Sequence, residues 1–300
     1  MKKLLLSVIV AGLVVGVVLL YLGRPIPFSP SAIPAHTPDT EKGAVLFTAG
    51  GCLSCHKPSE SDQTADKTLP SGGAALKTPI GTFYPPNLTP DDKTGIGKWK
   101  VVDFVSAMKH GVSPDNKHYL PAFPYTSYAA MTVPDLMDLH AYLNTLKPVS
   151  SPPRTADVPV QWVLRLGVGI WKLLAMTDGT YQADPGQSET WNRGAYLVKG
   201  PGHCGECHTP RNFMMIWQMS KYLAGGPHPE GGKDKVPSLR SLVERKKYKD
   251  AKDLVSAFQW GEAFGYEDMS SGGMGSVQTN LSKLPEPDLQ AIAEYLTSLK

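Results

Sequence analysis

Cysteine is scarce in this sequence: there are four in 300 residues, and none of the four stands outside two short stretches, 52–56 and 204–208. No thiol is left over for a structural disulfide elsewhere in the chain. Charge of either sign is also in short supply, with 30 basic and 27 acidic side chains giving a formal net charge of +3. That balance excludes a polyelectrolyte face and, with it, nucleic acid as a partner. Long strands are not expected either, because 27 prolines and 29 glycines imply many turns and little uninterrupted sheet. What remains, at 41% hydrophobic residues, is an ordinary globular composition.

The two cysteine stretches carry the chemistry. They read Cys52-Leu53-Ser54-Cys55-His56 and Cys204-Gly205-Glu206-Cys207-His208. Two thiols one helical turn apart can each add to a vinyl group of one haem, and the adjacent imidazole then faces the iron. Two such stretches predict two covalent haem c groups, held by Cys52 and Cys55 and by Cys204 and Cys207, with His56 and His208 as proximal ligands. No cysteine remains to serve as an axial ligand. CxxC also marks dithiol redox centres and half-sites for zinc. A thioredoxin-like centre needs a strand leading into the motif, whereas Gly50-Gly51 and Pro201-Gly202-His203 lead into these. A four-thiolate zinc site would leave the histidine after each pair unexplained.

The N-terminus reads Met1-Lys2-Lys3, then an apolar run from Leu4 to Leu22, then Arg24 and a proline-rich exit. At about 1.5 Å per residue this makes a helix of roughly 28 Å, close to the hydrocarbon thickness of a bilayer. A cleavable signal peptide is the alternative, but its apolar core usually runs about 7–15 residues and ends at a small-x-small site. No convincing Ala-x-Ala follows Leu22, so a retained anchor over 1–24 is expected. Lys2 and Lys3 would be cytoplasmic and the rest exported. Residues 25–40 carry five prolines without apolar periodicity and read as a semi-rigid tether.

An internal repeat organises the remainder. Lys42-Gly43-Ala44 with Leu46 precedes the first motif as Arg193-Gly194-Ala195 with Leu197 precedes the second. Asp103, Val105-Ser106-Ala107 and Gly111 recur as Asp253, Val255-Ser256-Ala257 and Gly261. The closing segments, Pro134-Asp135-Leu136, Leu139, Tyr142-Leu143 and Leu146-Lys147, match Pro287-Asp288-Leu289, Ile292, Tyr295-Leu296 and Leu299-Lys300. Helical spacing at Leu136, Leu139, Leu143 and Leu146, after an acidic first turn, predicts a closing helix in each half. Two homologous domains follow, 41–148 and 190–300, joined by a connector over 149–189. Within the connector Trp162, Leu166, Ile170 and Leu173 mark one face of a helix that Arg165 and Lys172 disqualify as a span. It reads as a connector packed between domains or as an amphipathic segment lying on the membrane or docking a partner.

These residues resemble a known family, the class I cytochromes c, and specifically membrane-anchored dihaem cytochromes c. The first domain is similar to the cytochrome subunits of periplasmic alcohol and aldehyde dehydrogenases at Gly81-Thr82-Phe83-Tyr84, Asn87-Leu88-Thr89-Pro90-Asp91, Gly95-Ile96-Gly97-Lys98-Trp99 and Pro121-Ala122-Phe123-Pro124-Tyr125. The second resembles their next haem domain at Cys207-His208-Thr209-Pro210-Arg211-Asn212. Those subunits often carry three haems; this sequence has two motifs. The resemblance implies an all-α fold, two tandem class I cytochrome c domains after an N-terminal transmembrane helix.

A low-spin electron-transfer haem needs a sixth ligand, and a Met thioether supplies one that raises the potential. Met274, in a glycine-rich loop Gly272-Gly273-Met274-Gly275 ahead of Pro287, lies where the family places such a Met before its terminal helix, with Met269 as the alternative. In the first domain the family's Pro-Ala-Phe-Pro-Tyr pattern selects Met131, while Met108, Met137 and His118 remain open. Pro58 and Pro210 stand at one offset past the two histidines and are candidates for the carbonyl that accepts the proximal imidazole N–H. Trp99, Tyr125, Tyr128, Arg211 and Trp260 are candidate haem contacts, each as readily plain core.

The expected function is one-electron transfer from a periplasmic dehydrogenase towards a quinone, cytochrome or terminal oxidase, from a single-pass position in a bacterial inner membrane with the haem domains in the periplasm. The competing class is a haem enzyme, such as a dihaem peroxidase, with one open distal site.

Overall fold

The computed structural model describes residues 1–78, 80–176, 179–228, 235–260 and 273–300. Met269 and Gly261, named above, lie outside the described residues, as does the side chain of Trp162. The helices are α1 (Lys2–Leu22), α2 (Thr40–Ala49), α3 (Cys52–His56), α4 (Val101–His110), α5 (Tyr125–Tyr128), α6 (Val133–Thr145), α7 (Gln161–Ala175), α8 (Glu189–Lys199), α9 (Gly205–His208), α10 (Ala251–Trp260), α11 (Gly273–Leu281) and α12 (Glu286–Ser298). Two two-stranded antiparallel hairpins, β1 (Leu76–Thr78) with β2 (Gly81–Phe83) and β3 (Gly226–Pro227) with β4 (Lys235–Val236), qualify the all-helical expectation. Each follows a CxxCH helix, where glycine-rich chain has to reverse direction.

Two hydrophobic cores form. The first joins Leu46 and Phe47 of α2, Phe104, Val105 and Met108 of α4, and Leu136, Leu139 and Leu143 of α6. The second joins Leu197 of α8, Leu254 and Phe258 of α10, and Leu289, Ile292 and Leu296 of α12. The closing-helix periodicity therefore faces inward in both halves, and Leu146 and Leu299 stand at the C-caps instead of inside the helices. Sequence also sets the starts. The Asp39 side chain caps α2 by accepting from the Glu41 and Lys42 amides, and Ser188 caps α8 by accepting from Trp191. Pro134 and Pro287 occupy first turns, where a missing N–H costs no helical bond.

The repeated Lys/Arg-Gly-Ala triplet has a packing reason. A Cβ on Gly43 would lie 2.2 Å from the Asp138 carbonyl oxygen of α6, and one on Gly194 would lie 1.9 Å from the Ala291 carbonyl oxygen of α12. Only glycine lets the opening helix cross the closing helix this closely. In the second half Arg193 adds a bidentate ion pair to Asp288, at 2.8 and 2.9 Å.

The expected tether differs. The segment leaving α1 is strapped onto the first core: His110 donates Nδ1–H to the Ile26 carbonyl, the Phe28 amide donates to Ser106 Oγ, and Phe28 and Ile33 pack on the core. His36 closes the strap on the buried carboxylate of Asp138 at 2.6 Å. This stretch forms only a single 3-10 turn, Pro30–Ala32, and side chains dock the rest.

Candidate haem-binding sites

Both proximal histidines are aimed by the same device. His56 donates Nδ1–H to the Pro86 carbonyl at 2.7 Å, and His208 donates Nδ1–H to the Pro237 carbonyl at 2.8 Å. Each imidazole thereby keeps its Nε2 lone pair for a metal. The acceptors are therefore not Pro58 and Pro210, which sit too close along the chain to turn a carbonyl onto a ring two residues back. A loop of about thirty residues returns to do it instead. Its tip is a glycine: Gly72 donates its amide to the His56 carbonyl and Gly225 to the His208 carbonyl, both at 2.7 Å. Their φ values are +76° and +74°, and a Cβ on either would lie 2.5 Å from backbone, of Pro86 and of Val236 respectively. The signal that could have found these prolines is Pro86-Asn87-Leu88 recurring as Pro237-Ser238-Leu239.

Protonation fits ligation. Burial pushes the His56 imidazole down to about 4, against a smaller upward pull from its bond to Pro86, and burial lowers His208 as well. Both are neutral bases at neutral pH. Burial pushes the Cys52 and Cys204 thiols up to about 12, the opposite of the acidic thiol a dithiol redox centre uses. None of the four cysteines is in a disulfide. Among the described residues no group of three or more His, Cys, Asp or Glu side chains comes together as a metal cage.

The donor set therefore fits haem c. The Tyr125 hydroxyl adds to this, because it is buried with no hydrogen-bond partner among the described residues, a donor that a bound group would satisfy. Tyr128 is buried in the first core and meets His203 edge-on, with ring centroids 5.7 Å apart. Trp99 packs on the same core, Arg211 is ion-paired to Glu206, and Trp260 is largely exposed.

Met131 is wholly buried in the first core, in the turn between α5 and α6, within the cluster that Cys52 and Leu53 pack against. Lys109 fixes that turn by donating to the Ala129 and Met131 carbonyls at 2.6 and 2.7 Å. Met108 is buried in the same core on α4, and Met137 is buried on α6. His118 is committed elsewhere: Nε2–H donates to the Gly23 carbonyl at 2.8 Å and Nδ1 accepts from Lys172 at 3.1 Å. Met274 stands half-buried in the first turn of α11 and not in the loop its glycine neighbours suggested.

Each CxxCH segment is also bonded to the opposite half of the chain, which sequence reasoning missed. The third residue of each motif bonds to the other half: Ser54 Oγ accepts from Asn280 of α11 at 2.9 Å, while Glu206 accepts from the Thr126 and Ser127 hydroxyls of α5 at 2.6 and 2.9 Å. His203 donates Nε2–H to the Gly50 carbonyl at 3.2 Å. Tyr196 of α8 donates its hydroxyl to Asp135 of α6.

A cytochrome c family model matches residues 40–147. Over 99% of its length the chain is 40% identical to a dihaem cytochrome c-type protein of Cereibacter sphaeroides, covering 98% of that protein. The chain belongs to the cytochrome c family. This cytochrome is also 34% identical to the fructose dehydrogenase cytochrome subunit of Gluconobacter japonicus over 91% of the chain, and 35% identical to the cytochrome c subunit of the quinone alcohol dehydrogenase of Gluconacetobacter polyoxogenes over 88%. It spans 55% and 58% of those two relatives. Electron transfer by a haem c cytochrome is the activity this relationship supports, and the two subunits just named are parts of dehydrogenases.

Proposed function

We propose that the cytochrome relays single electrons from a periplasmic dehydrogenase to a membrane-side acceptor, a quinone, a second cytochrome or an oxidase, through two haem c groups in two tandem class I domains. Haem, when bound, supplies the one-electron couple. The chain's own residues do the rest. Cys52, Cys55, Cys204 and Cys207 would hold the groups, and His56, His208, Met131 and Met274 would supply the ligands to iron. Helix α1, long and apolar enough to cross a bilayer, anchors the body on the periplasmic side of the inner membrane.

The observation that supports this reading is that each CxxCH segment is bonded to the opposite half, Ser54 to Asn280 and Glu206 to Thr126 and Ser127, with their flanking residues His203 and Gly50 bonded to each other. A dihaem relay needs its two carriers close and fixed, and bonds from inside each motif to the opposite half hold them so. Carbon monoxide tests it. The reduced cytochrome is expected to leave its spectrum unchanged under the gas, because Met131 and Met274 would occupy the positions that carbon monoxide needs. One reactive haem would mark an open distal site and favour a haem enzyme.

The glycine tips give a second expectation. Gly225→Ala forces alanine into left-handed backbone, at a cost of about 1–2 kcal/mol, and drives Cβ to within 2.5 Å of the Val236 carbonyl oxygen. The Pro237 carbonyl then withdraws from His208, the imidazole becomes a weaker donor, and the ferric form loses stabilisation. Redox titration should show the second haem's midpoint raised and the first haem's unmoved.

A further inference from the structure

Helix α1 has no buried residue, so it stands clear of the body and meets it at its C-terminal end. There the backbones of Gly23 and Gly169 touch: a Cβ on Gly169 would lie 1.9 Å from the Gly23 carbonyl oxygen. Arg24 stacks over Tyr21 at 4.1 Å, an aromatic and a basic side chain of the kind that settles at headgroup depth. The strap through Ile26, Phe28 and His36 then fixes this end to the first core. The middle of α7 is thus held where α1 would leave the bilayer.

The charges of α7 all turn away from the outer face. Arg165 donates to the His118 carbonyl at 3.0 Å, and Lys172 donates to the His110 and Gly111 carbonyls at 2.7 and 2.8 Å. Left outside are Val163, Leu166, Leu173 and Leu174, each between 44% and 57% exposed. Those positions recur at helical spacing, with open space beside Gly167 between them.

A second apolar element lies alongside. Trp171 donates its indole N–H to the Met214 carbonyl at 2.9 Å, joining α7 to the turn 212–216. Asn212 Oδ1 stiffens that turn by accepting from the Met214 and Ile216 amides. The turn presents Phe213, 95% exposed, with Met214 and Met215 beside it. Two adjoining apolar surfaces on one side of a monomer are more than scattered exposure accounts for.

We propose that the outer face of α7 and the Phe213–Met215 turn form a second membrane contact, lying in the interfacial layer, with bilayer lipid as the occupant. The proposal rests on the reading of α1 as an anchor. An uncharged stripe with rigid aromatic and thioether tips matches acyl chains and offers nothing to a charged protein partner. A cavity of about 370 Å³ at the same junction is lined by apolar Leu22, Ile26 and Leu173 and by polar Arg24, Lys109, His110, His118 and Lys172. One crossing helix alone would leave the body free to swivel; the second contact fixes which side of it faces the membrane.

Hydroxyl-radical footprinting of the full haem-loaded chain in nanodiscs of phosphatidylcholine and phosphatidylglycerol tests this. Leu166, Leu173, Phe213, Met214 and Met215 are expected to lose most of their modification, as Leu4–Leu22 do, while the exposed Ile80 and Val243 keep theirs. In Leu166→Glu with Leu173→Glu, protection of the Phe213 turn should be lost and protection of Leu4–Leu22 retained. If Leu4–Leu22 are protected and the α7 stripe is modified like Ile80, the second contact is wrong and the anchor stands. If Leu4–Leu22 are modified too, the anchor reading falls and the contact with it. Protection of the stripe that appears only when a dehydrogenase is bound would make the occupant protein and overturn the proposal.

Discussion

Replacing Cys204 and Cys207 together by alanine should leave a denatured chain carrying one covalent haem where the unaltered chain carries two, and replacing Cys52 and Cys55 should do the converse. The two losses are expected to be independent, because the thiol pairs pack against separate hydrophobic cores: Cys52 against the core of α2, α4 and α6, and Cys204 against that of α8, α10 and α12. In the pyridine haemochrome assay the absorbance per chain should halve in either double mutant. Each mutant should also lose thermal stability in one half first, since a core assembled around a haem loses those contacts when it is absent. A double mutant that still carries two haems after denaturation would show that thioethers at these cysteines do not hold them. His56→Ala or His208→Ala should harm folding as well, because each ring leaves a Pro carbonyl, 30 or 29 residues downstream, without its donor.

The second large effect is expected on the opposite side of each iron. Met274→His should convert the second haem to two imidazole ligands and lower its midpoint by on the order of tenths of a volt, within the range of about 0.8 V that axial ligands command. Met131→His should do the same to the first haem alone. A thioether favours ferrous iron, whereas imidazole is the stronger donor and favours ferric. The weak long-wavelength absorbance of ferric iron bound to sulfur should diminish in each single mutant and vanish in the double. If Met131→Ala leaves that band and both midpoints intact, Met131 is a core residue and Met108 or Met137 must be tested. His118 leaves the list of alternatives, because both its ring nitrogens are engaged by Gly23 and Lys172.

How much of this was legible beforehand depends on how local each cause is. The CxxCH pentapeptides, the inward periodicity of α6 and α12 and the apolar α1 declare themselves over a few consecutive residues. The repeat of Gly43 and Gly194 was visible, yet its reason, a crossing too close for any Cβ, needed the partner helix. Pro58 and Pro210 were candidates for the proximal acceptors, and the acceptors in the structure are Pro86 and Pro237, which arrive through a glycine turn whose register no periodicity reveals. Pro-x-Leu recurring behind each histidine was the only sequence trace. Residues 25–40 looked like a free tether because prolines erase helical and strand patterns, while Phe28, Ile33 and His36 dock by side chains that composition does not flag. Met274 was read as a loop residue from its glycine neighbours, and α11 forms there regardless, with Asn280 on it reaching Ser54. Contacts between halves, such as Glu206 with Thr126 and Ser127, join positions about eighty apart and leave no mark in either segment alone.

Two redox-active haems in one chain are what the proposed relay requires. The direct measurement is a potentiometric titration of the intact cytochrome followed by the haem absorbance change, with haem and chain quantified in the same sample. Two one-electron steps of equal amplitude, together accounting for two haems per chain, are predicted. A single step of one haem per chain, or a second haem that stays oxidised throughout the range, would contradict it.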